Sequence, residues 1–277
     1  MYKIGNARML EIFQADGEIR HYFSCVNIAN AGGERWGIRS VEYYASNPDA
    51  RNLEFAEFSA NAFGELAVRI NAADSALIAD VCRKISEIQS EYERVSIETP
   101  AHIDLSRDST ILEYFTVSNV YELELGVYGL LSPERIPPLE TRVGLEVRAA
   151  TEDDVAAAKS LGVQEWGGFP MMLARVYKPD SDLLFVAYLN GEPAGLLCAN
   201  CNYKNIYDVV NVFTHGKFRG RHIATALATY YAQYCVNHGL IPHYGTAVSA
   251  ESERVALNSG FEETSRNHSF DVAPAVK

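Results

Sequence analysis

Cysteine is scarce and odd in number. Five residues, Cys25, Cys82, Cys198, Cys201 and Cys235, are scattered over 277 positions. A chain of this length needs no covalent staples, so such a set excludes a disulfide scaffold and points to reduced thiols and a cytoplasmic location. Long apolar runs are missing as well: DLLFVAYLNG (182–191) is typical of the longest, well short of the roughly 20 residues of a membrane span. The opening MYKIGNARMLEIFQADGEIRHYF mixes charges where a signal peptide needs an uninterrupted apolar stretch and a small-residue cleavage site. Cations are outnumbered, with 24 Lys and Arg against 36 Asp and Glu and a net charge of −12. That balance opposes the phosphate attraction on which nucleic-acid binding rests. Neither nucleic acid nor a membrane is expected as a partner.

What is present suits a folded protein. At 48% hydrophobic and 22% charged residues, the composition fits packed cores, and at about 150 residues per domain the length suggests two of them. LSPERIPPLETR (131–142) places Pro133, Pro137 and Pro138 among charges, where neither a helix interior nor a central strand is comfortable. Domains are therefore expected at 1–130 and 144–277, joined by a linker over 131–143.

The second half is the more legible. GLEVRAA (144–150) alternates as a strand; Thr151 and Asp154 form a capping-box pattern opening a helix that ends at Gly162. A weaker helical stretch over 164–177 is interrupted by Gly167, Gly168 and Pro170. Two apolar runs, 183–189 and 193–201, flank the turn pair Asn190-Gly191, and 207–214 adds a third strand. RGRHIATALATYYAQYCVNH (219–238) is a helix stopped by Gly239; 241–248 is a strand, 249–259 a short helix and 261–272 a last extended segment. The Cys198 and Cys201 pair lies inside a strand, where positions three apart point to opposite faces, so two small packed side chains are expected rather than a redox or metal site. In the first half, 65–71, 75–90, 94–100, 109–118 and 120–128 read as strand, helix, strand, helix and strand. That succession matches the one from Tyr207 onward, which suggests an internal structural duplication.

The informative segment is VNVFTHGKFRGRHIATAL (210–227). A strand runs through a short link into a helix start carrying Lys217, Arg219, Arg221 and His222. Unpaired helix-start amides, the positive end of the helix dipole and these side chains make an anion site, and Gly220, Ala224, Thr225 and Ala226 keep the backbone approachable. The nucleotide-binding pattern G-x-x-x-x-G-K-[ST] is absent, because Gly216 to Gly220 is one residue short and no Lys-Ser/Thr follows. A pyrophosphate is the favoured ligand.

Arg219-Gly-Arg-His222-Ile-Ala224 resembles the Arg/Gln-x-x-Gly-x-Gly/Ala signature of the GNAT superfamily of acyl-CoA N-acyltransferases, with His222 where Gly is usual. Ser252 to Phe261, ending in Asn-Ser-Gly-Phe, resembles a later element of the family, with Ser249 where Asn is usual, and Asp153 resembles part of its opening. The resemblance covers about 144–270. It implies an α/β (α+β) fold with a mixed, mostly antiparallel sheet flanked by helices, here as two such domains in tandem. It also implies acetyl-CoA as cosubstrate, with backbone groups of Val212 and Thr214 on the pantetheine arm, the amides of 219–224, Ile223 included, on the pyrophosphate, and Ser252 nearby. The arm's slot would open where 207–214 and 241–248 splay apart.

Transfer from a thioester to an amine needs a base, a polarised carbonyl and a protonated leaving group. A backbone N–H near Val212 could polarise the carbonyl. Asp208, which alternation places on the face of Val210 and Val212, is the candidate base. Tyr244, with Tyr231 as second choice, is the candidate acid, because Ala256 stands where many family members carry Tyr. His215 at the strand end could relay protons. No Ser-His-Asp or Cys-His grouping is legible, so direct transfer without a covalent acyl-enzyme is expected, with no metal. Trp166, Phe169, Met171 and Met172 could wall the acceptor pocket, and the acidic balance suggests a cationic small-molecule amine, bound by a monomer or homodimer. The first half has no counterpart of the basic signature, only Ala-Ala-Asp between Asn71 and Ser75, and is expected to bind no CoA. The rival reading is a non-catalytic acyl-CoA-binding regulator or sensor.

Overall fold

Alternation and helical stripes become structure much as the physics of burial requires. In the computed structural model, which describes all residues except 33–36, 50–52, 119, 121–124, 140, 141, 276 and 277, the chain forms two compact units. One comprises residues 1–126 and 265–277, the other 127–264.

The first unit contains β1 (Tyr2–Ile4), α1 (Asn6–Asp16), α2 (Tyr22–Asn30), β2 (Ile38–Ala45), β3 (Phe55–Asn61), β4 (Glu65–Asn71), α3 (Ser75–Ile88), β5 (Arg94–Pro100), α4 (Ser109–Tyr114) and β6 (Phe115–Ser118). β4 buries Leu66, Val68 and Ile70 at a spacing of two, and α3 covers them with Leu77, Ile78, Val81, Cys82 and Ile85. β1 to β5 lie side by side in chain order. β4 and β5 run parallel; β1–β2, β2–β3 and β3–β4 are antiparallel.

β7 (Leu125–Gly129) leads into the second unit, which continues with β8 (Leu145–Ala149), α5 (Glu152–Lys159), α6 (Val163–Trp166), α7 (Phe169–Arg175), β9 (Asp182–Leu189), β10 (Glu192–Tyr203), β11 (Ile206–Thr214), α8 (Ile223–Asn237), β12 (Ile241–Ala247), α9 (Ala250–Asn258) and the start of β13 (Glu262–Pro274). β8 to β12 again lie in chain order, antiparallel except for the parallel pair β11–β12. The second unit therefore repeats the first: strand, helices, three antiparallel strands, helix, parallel strand, helix, strand. One mixed, mostly antiparallel fold is used twice.

The repeat is not two contiguous halves. β13 pairs antiparallel with β5 from Asn267↔Pro100 to Val272↔Val95, whereas β7 takes the place beside β12. Residues 265–277 thus belong with the first unit, where a contiguous 144–277 was expected. The boundary expectation misses this because strand pairing, not chain order, decides which unit a segment completes. The expected linker also differs: Pro137 O accepts a hydrogen bond from Gln233 Nε2 at 3.0 Å, and a Cβ on Gly260 would lie 2.6 Å from Arg135 O. The segment packs on the second unit. In the first unit the expected helix 109–118 stops at Tyr114 and continues as β6, where Phe115, Thr116 and Val117 favour a strand. Part of the expected strand 120–128 lies outside the described residues. Cys198 is buried in the core, and Cys201 Sγ meets Lys204 O at 2.9 Å.

Candidate functional site

The site begins where two parallel strands part. β11 and β12 pair over only three positions, Ile206↔Ile241, Tyr207↔Pro242 and Asp208↔His243; the equivalent β4–β5 ladder runs over five, Glu65↔Arg94 to Arg69↔Glu98. At the parting point the Tyr231 hydroxyl, reaching from α8, donates to Tyr207 O at 2.6 Å and accepts from His243 N at 3.1 Å. It thereby ties α8 to the backbone of both strands at their last two paired positions. Beside it, Asp208 Oδ1 holds His243 Nδ1 at 2.7 Å, with both residues buried. Burial raises the Asp208 carboxyl above the ordinary carboxylate range, against the opposing pull of His243. Gly245 follows with φ +72°, and a Cβ there would lie 2.7 Å from Asp208 Oδ1.

Further along β11 the alternation slips. Cys198 pairs with Asn211 but Ala199 pairs with Val209, which leaves Val210 as the extra residue of a bulge. Val209 and Val212 then both pack with Leu227 and Tyr231 of α8, whereas Val210 and Phe213 pack with Trp166. Val212 therefore does not share a face with Val210 as strict alternation requires. A bulge leaves ladder groups unpaired, so this is where a backbone N–H can turn toward a ligand.

β11 ends at Thr214. His215 then caps a tight turn over Gly216–Phe218, its Nδ1 accepting from Lys217 N at 3.2 Å. Gly220 takes φ +74° and His222, the residue before α8, φ +58°. His222 thus occupies the left-handed conformation that suits Gly. No side chain caps α8, whereas Asp74 caps α3, the equivalent helix of the first unit, by accepting from Ala76 N at 2.9 Å. The α8 start keeps its amides and positive dipole end available to an anion; the α3 start carries its own carboxylate.

Between the parted strands, the α8 start and α9 lies a cavity of about 800 Å³. Of the predicted ligand residues it is lined by Val212, Thr214, Arg219, Gly220, His222, Ile223, Ala224 and Ser252, and Tyr244 lines it as well. Arg219 packs its guanidinium 5.9 Å from the Phe213 ring centroid. The Thr214 hydroxyl oxygen is buried with no hydrogen-bond partner among the described residues. Tyr244 contacts Ser252 Oγ at 3.3 Å, and burial pushes its phenol up to about 12. Other predicted residues lie elsewhere. Lys217 pairs with Glu192, and the Arg221 carbonyl accepts from Arg142 Nη1 at 3.0 Å. His215 sits 5.3 Å from the Trp166 ring and 3.9 Å from Glu165. Tyr231 is committed to backbone, and Asp208 to His243. None of these five lines the cavity; Lys217 follows the nearby Glu192 carboxylate rather than the helix dipole.

Sequence reading missed most of the α9 wall, where Ser249, Glu251, Arg254, Val255 and Asn258 line the cavity. The recurrence of Glu251, Val255 and Asn258 at helical spacing was the available signal. Ala256 faces the opposite way and is fully buried with Tyr244 and Phe261. Trp166 and Phe169 are core residues, Met172 is partly buried against them, and Met171 is exposed. Among the described residues no group of three or more His, Cys, Asp or Glu could hold a metal ion, and no helix is long and apolar enough to cross a membrane.

Residues 150–258 match the family "Acetyltransferase (GNAT) family". A curated relative, an uncharacterized N-acetyltransferase of Methanocaldococcus jannaschii, is 29% identical over 110 residues, spanning 34% of this chain and 49% of that protein. The match thus covers about half of the relative's length. Among solved structures, a GNAT-family acetyltransferase from Colwellia psychrerythraea is similar with a TM-score of 0.55 at 14% identity, covering 84% of this chain and 86% of that one. A tandem GNAT protein from the clavulanic acid biosynthesis pathway is similar with a TM-score of 0.56 at 11% identity, covering 98% and 95%. At such identities the structures speak to fold alone. The family match spans the parted strands, the α8 start and α9, so it is over these elements that residues 150–258 are similar to the GNAT acetyltransferase family.

Proposed function

We propose that the second unit transfers an acetyl group from acetyl-CoA directly to a primary amine. The observation that carries this is the uncapped α8 start opening into the cavity between parted strands. The residues present suit the ligand: amides and Arg219 for the pyrophosphate, a bare Gly220 whose Cβ position has no atom within 4 Å, and an unpartnered Thr214 hydroxyl in the wall. The half-buried Val212 edge of β11 offers backbone groups to an extended arm in the manner of an added strand.

A CoA thioester brings an activated acyl carbonyl. A backbone N–H near Val212, turned by the bulge, polarises it. Asp208 lies behind the lining, its affinity for a proton raised by burial and its position fixed by His243, and takes the amine proton through water. Tyr244 keeps its proton across neutral pH and donates a hydrogen bond to the departing sulfur. No described cysteine lines the cavity and Ser252 Oγ is engaged with Tyr244, which favours direct transfer over a covalent acyl-enzyme. His215, which accepts from Lys217 N and packs beside Trp166, receives no role. The acceptor is a small amine, and the five thiols, free of disulfides, suit a cytoplasmic setting.

The core position of Ala256 supports a second reading, a sensor that binds acyl-CoA without turning it over. Calorimetry with acetyl-CoA tests the premise of both: micromolar binding is expected, and its absence removes both. Thiol release with a panel of primary amines then separates them. Release that depends on the amine supports the enzyme, and binding without release supports the sensor.

A further inference from the structure

The last paired position of the parallel strands carries a polar row in both units. In the first, Tyr43, Glu57, Arg69 and Glu98 lie directly opposite one another across β2 to β5. Their side chains close on one another and on α2: Glu57 accepts from Ser24 Oγ at 2.5 Å and from Asn27 Nδ2 at 2.6 Å, and Arg69 Nη2 donates to Glu98 Oε2 at 2.9 Å. In the second unit Asp182, Asn200, Asp208 and His243 hold the corresponding places across β9 to β12, and all four are buried. Here one donor is left over. Asn200 is fully buried, and its Nδ2 has no hydrogen-bond partner among the described residues.

A buried amide N–H without an acceptor is costly, and the neighbours of Asn200 show which acceptor is open to it. Its carbonyl end meets Cys198 Sγ at 3.8 Å. Asp182, on one side, is already engaged: Oδ2 accepts from Lys178 N at 2.8 Å and Oδ1 from Ser181 Oγ at 3.3 Å. Asp208, on the other side, gives Oδ1 to His243 and keeps a second oxygen. Residues directly opposite on antiparallel strands have Cβ atoms about 5 Å apart, so a turn of the Asn200 side chain brings Nδ2 to that oxygen. We infer that Asn200 is a positioning residue for Asp208, its Nδ2 donating to the Asp208 carboxylate once the carboxyl has ionised. Such a bond favours the charged form and offsets part of the burial that raises Asp208. It also returns the base to one place after each proton it passes on. The other titratable groups along the row are His243, Asp182, Cys198 and Tyr177, the last lying close enough to Cys198 and Asp182 to feel both. The catalytic part of the inference rests on the reading in which Asp208 takes the amine proton; the hydrogen bond itself does not.

An NMR titration of the full chain from pH 4 to 8 tests the bond, following the Asp208 carboxyl carbon and the Asn200 side-chain amide protons. In wild type the two should titrate together, the amide protons moving downfield as the carboxyl ionises. Asn200→Ala should raise the Asp208 midpoint by about one pH unit, and Asn200→Ser, which keeps a short donor, by less than about half of that. Thermal melts verify that both variants fold, and the wild-type comparison needs neither. An Asn200 amide that stays flat through the Asp208 transition, or a midpoint that Asn200→Ala leaves in place, overturns the inference. Thiol release from acetyl-CoA with primary amines reads the catalytic part. The acid limb of kcat/KM should move up with the Asp208 midpoint in Asn200→Ala while the KM for acetyl-CoA stays within about twofold. A limb that stays put while the midpoint moves removes the positioning role and leaves the hydrogen bond. Absence of release by wild type removes the transfer reading, and the titration then decides the bond alone.

Discussion

Asp208 and His243 face each other across the last paired position of β11 and β12, Oδ1 to Nδ1 at 2.7 Å, and beyond them the strands separate. The pair sits at the apex of the cleft, so its ionisation is linked to the stability of the branch. Because burial raises the Asp208 pKa, the native state holds this proton more tightly than the unfolded chain does. The contribution is therefore full below the ordinary carboxylate value near ~4 and declines as pH rises through the raised one. Urea denaturation from pH 4 to 8 should show this decline in wild type relative to Asp208→Asn. A difference between the two that stays flat with pH, or slopes the other way, contradicts the raised affinity.

His222 holds φ +58° with no compensating side-chain cap. A left-handed non-glycine residue costs about 1–2 kcal/mol, and glycine returns part of that as unfolded-chain entropy. His222→Gly should stabilise the protein by roughly 0.5–1 kcal/mol in urea titrations. A loss of stability would mean that the imidazole contributes contacts outweighing the backbone strain.

Two glycines with nearly the same φ should respond differently to alanine. Gly220, at +74°, has nothing near its Cβ position; Gly245, at +72°, would place a Cβ 2.7 Å from Asp208 Oδ1 and 3.2 Å from Val209 O. Gly220→Ala should cost about 1 kcal/mol from conformation alone. Gly245→Ala adds a clash with a buried, tethered carboxylate and should cost about 3 kcal/mol or more. Equal melting shifts for the two would show that β12 relaxes freely at the branch.

The cations beside α8 should separate in the same way. Arg219 lines the cavity, while Lys217 is paired with Glu192 outside it. Arg219→Ala should weaken acetyl-CoA binding about tenfold and Lys217→Ala by less than about twofold, read by calorimetry. The reverse ranking would move the pyrophosphate away from the helix start.

Much of this was legible in the chain because the signals are local. Thr151 and Asp154 form the predicted capping box, and Asn190-Gly191 makes the predicted hairpin turn. The basic helix start stood out against an acidic background. The bulge at Val210 was not legible, since Val209-Val-Asn-Val-Phe213 alternates acceptably without one and the extra residue is defined only by the register of β10. The fate of individual cations was hidden for a related reason: Glu192, which takes Lys217, is 25 residues away. The partner of β13 was hidden altogether, because a strand's own pattern shows that it has a buried face but not which neighbour completes it.

That last pairing bears on how the protein is made. β5 is paired on this side by Asn267–Val272, so a chain still on the ribosome exposes that edge until the second unit and these residues have emerged. Domains usually fold one after another as they emerge, yet here the first unit is finished by a segment that follows the whole second unit. Stalled nascent chains ending at Thr264 should leave the first unit sensitive to protease, and chains released past Pro274 should not.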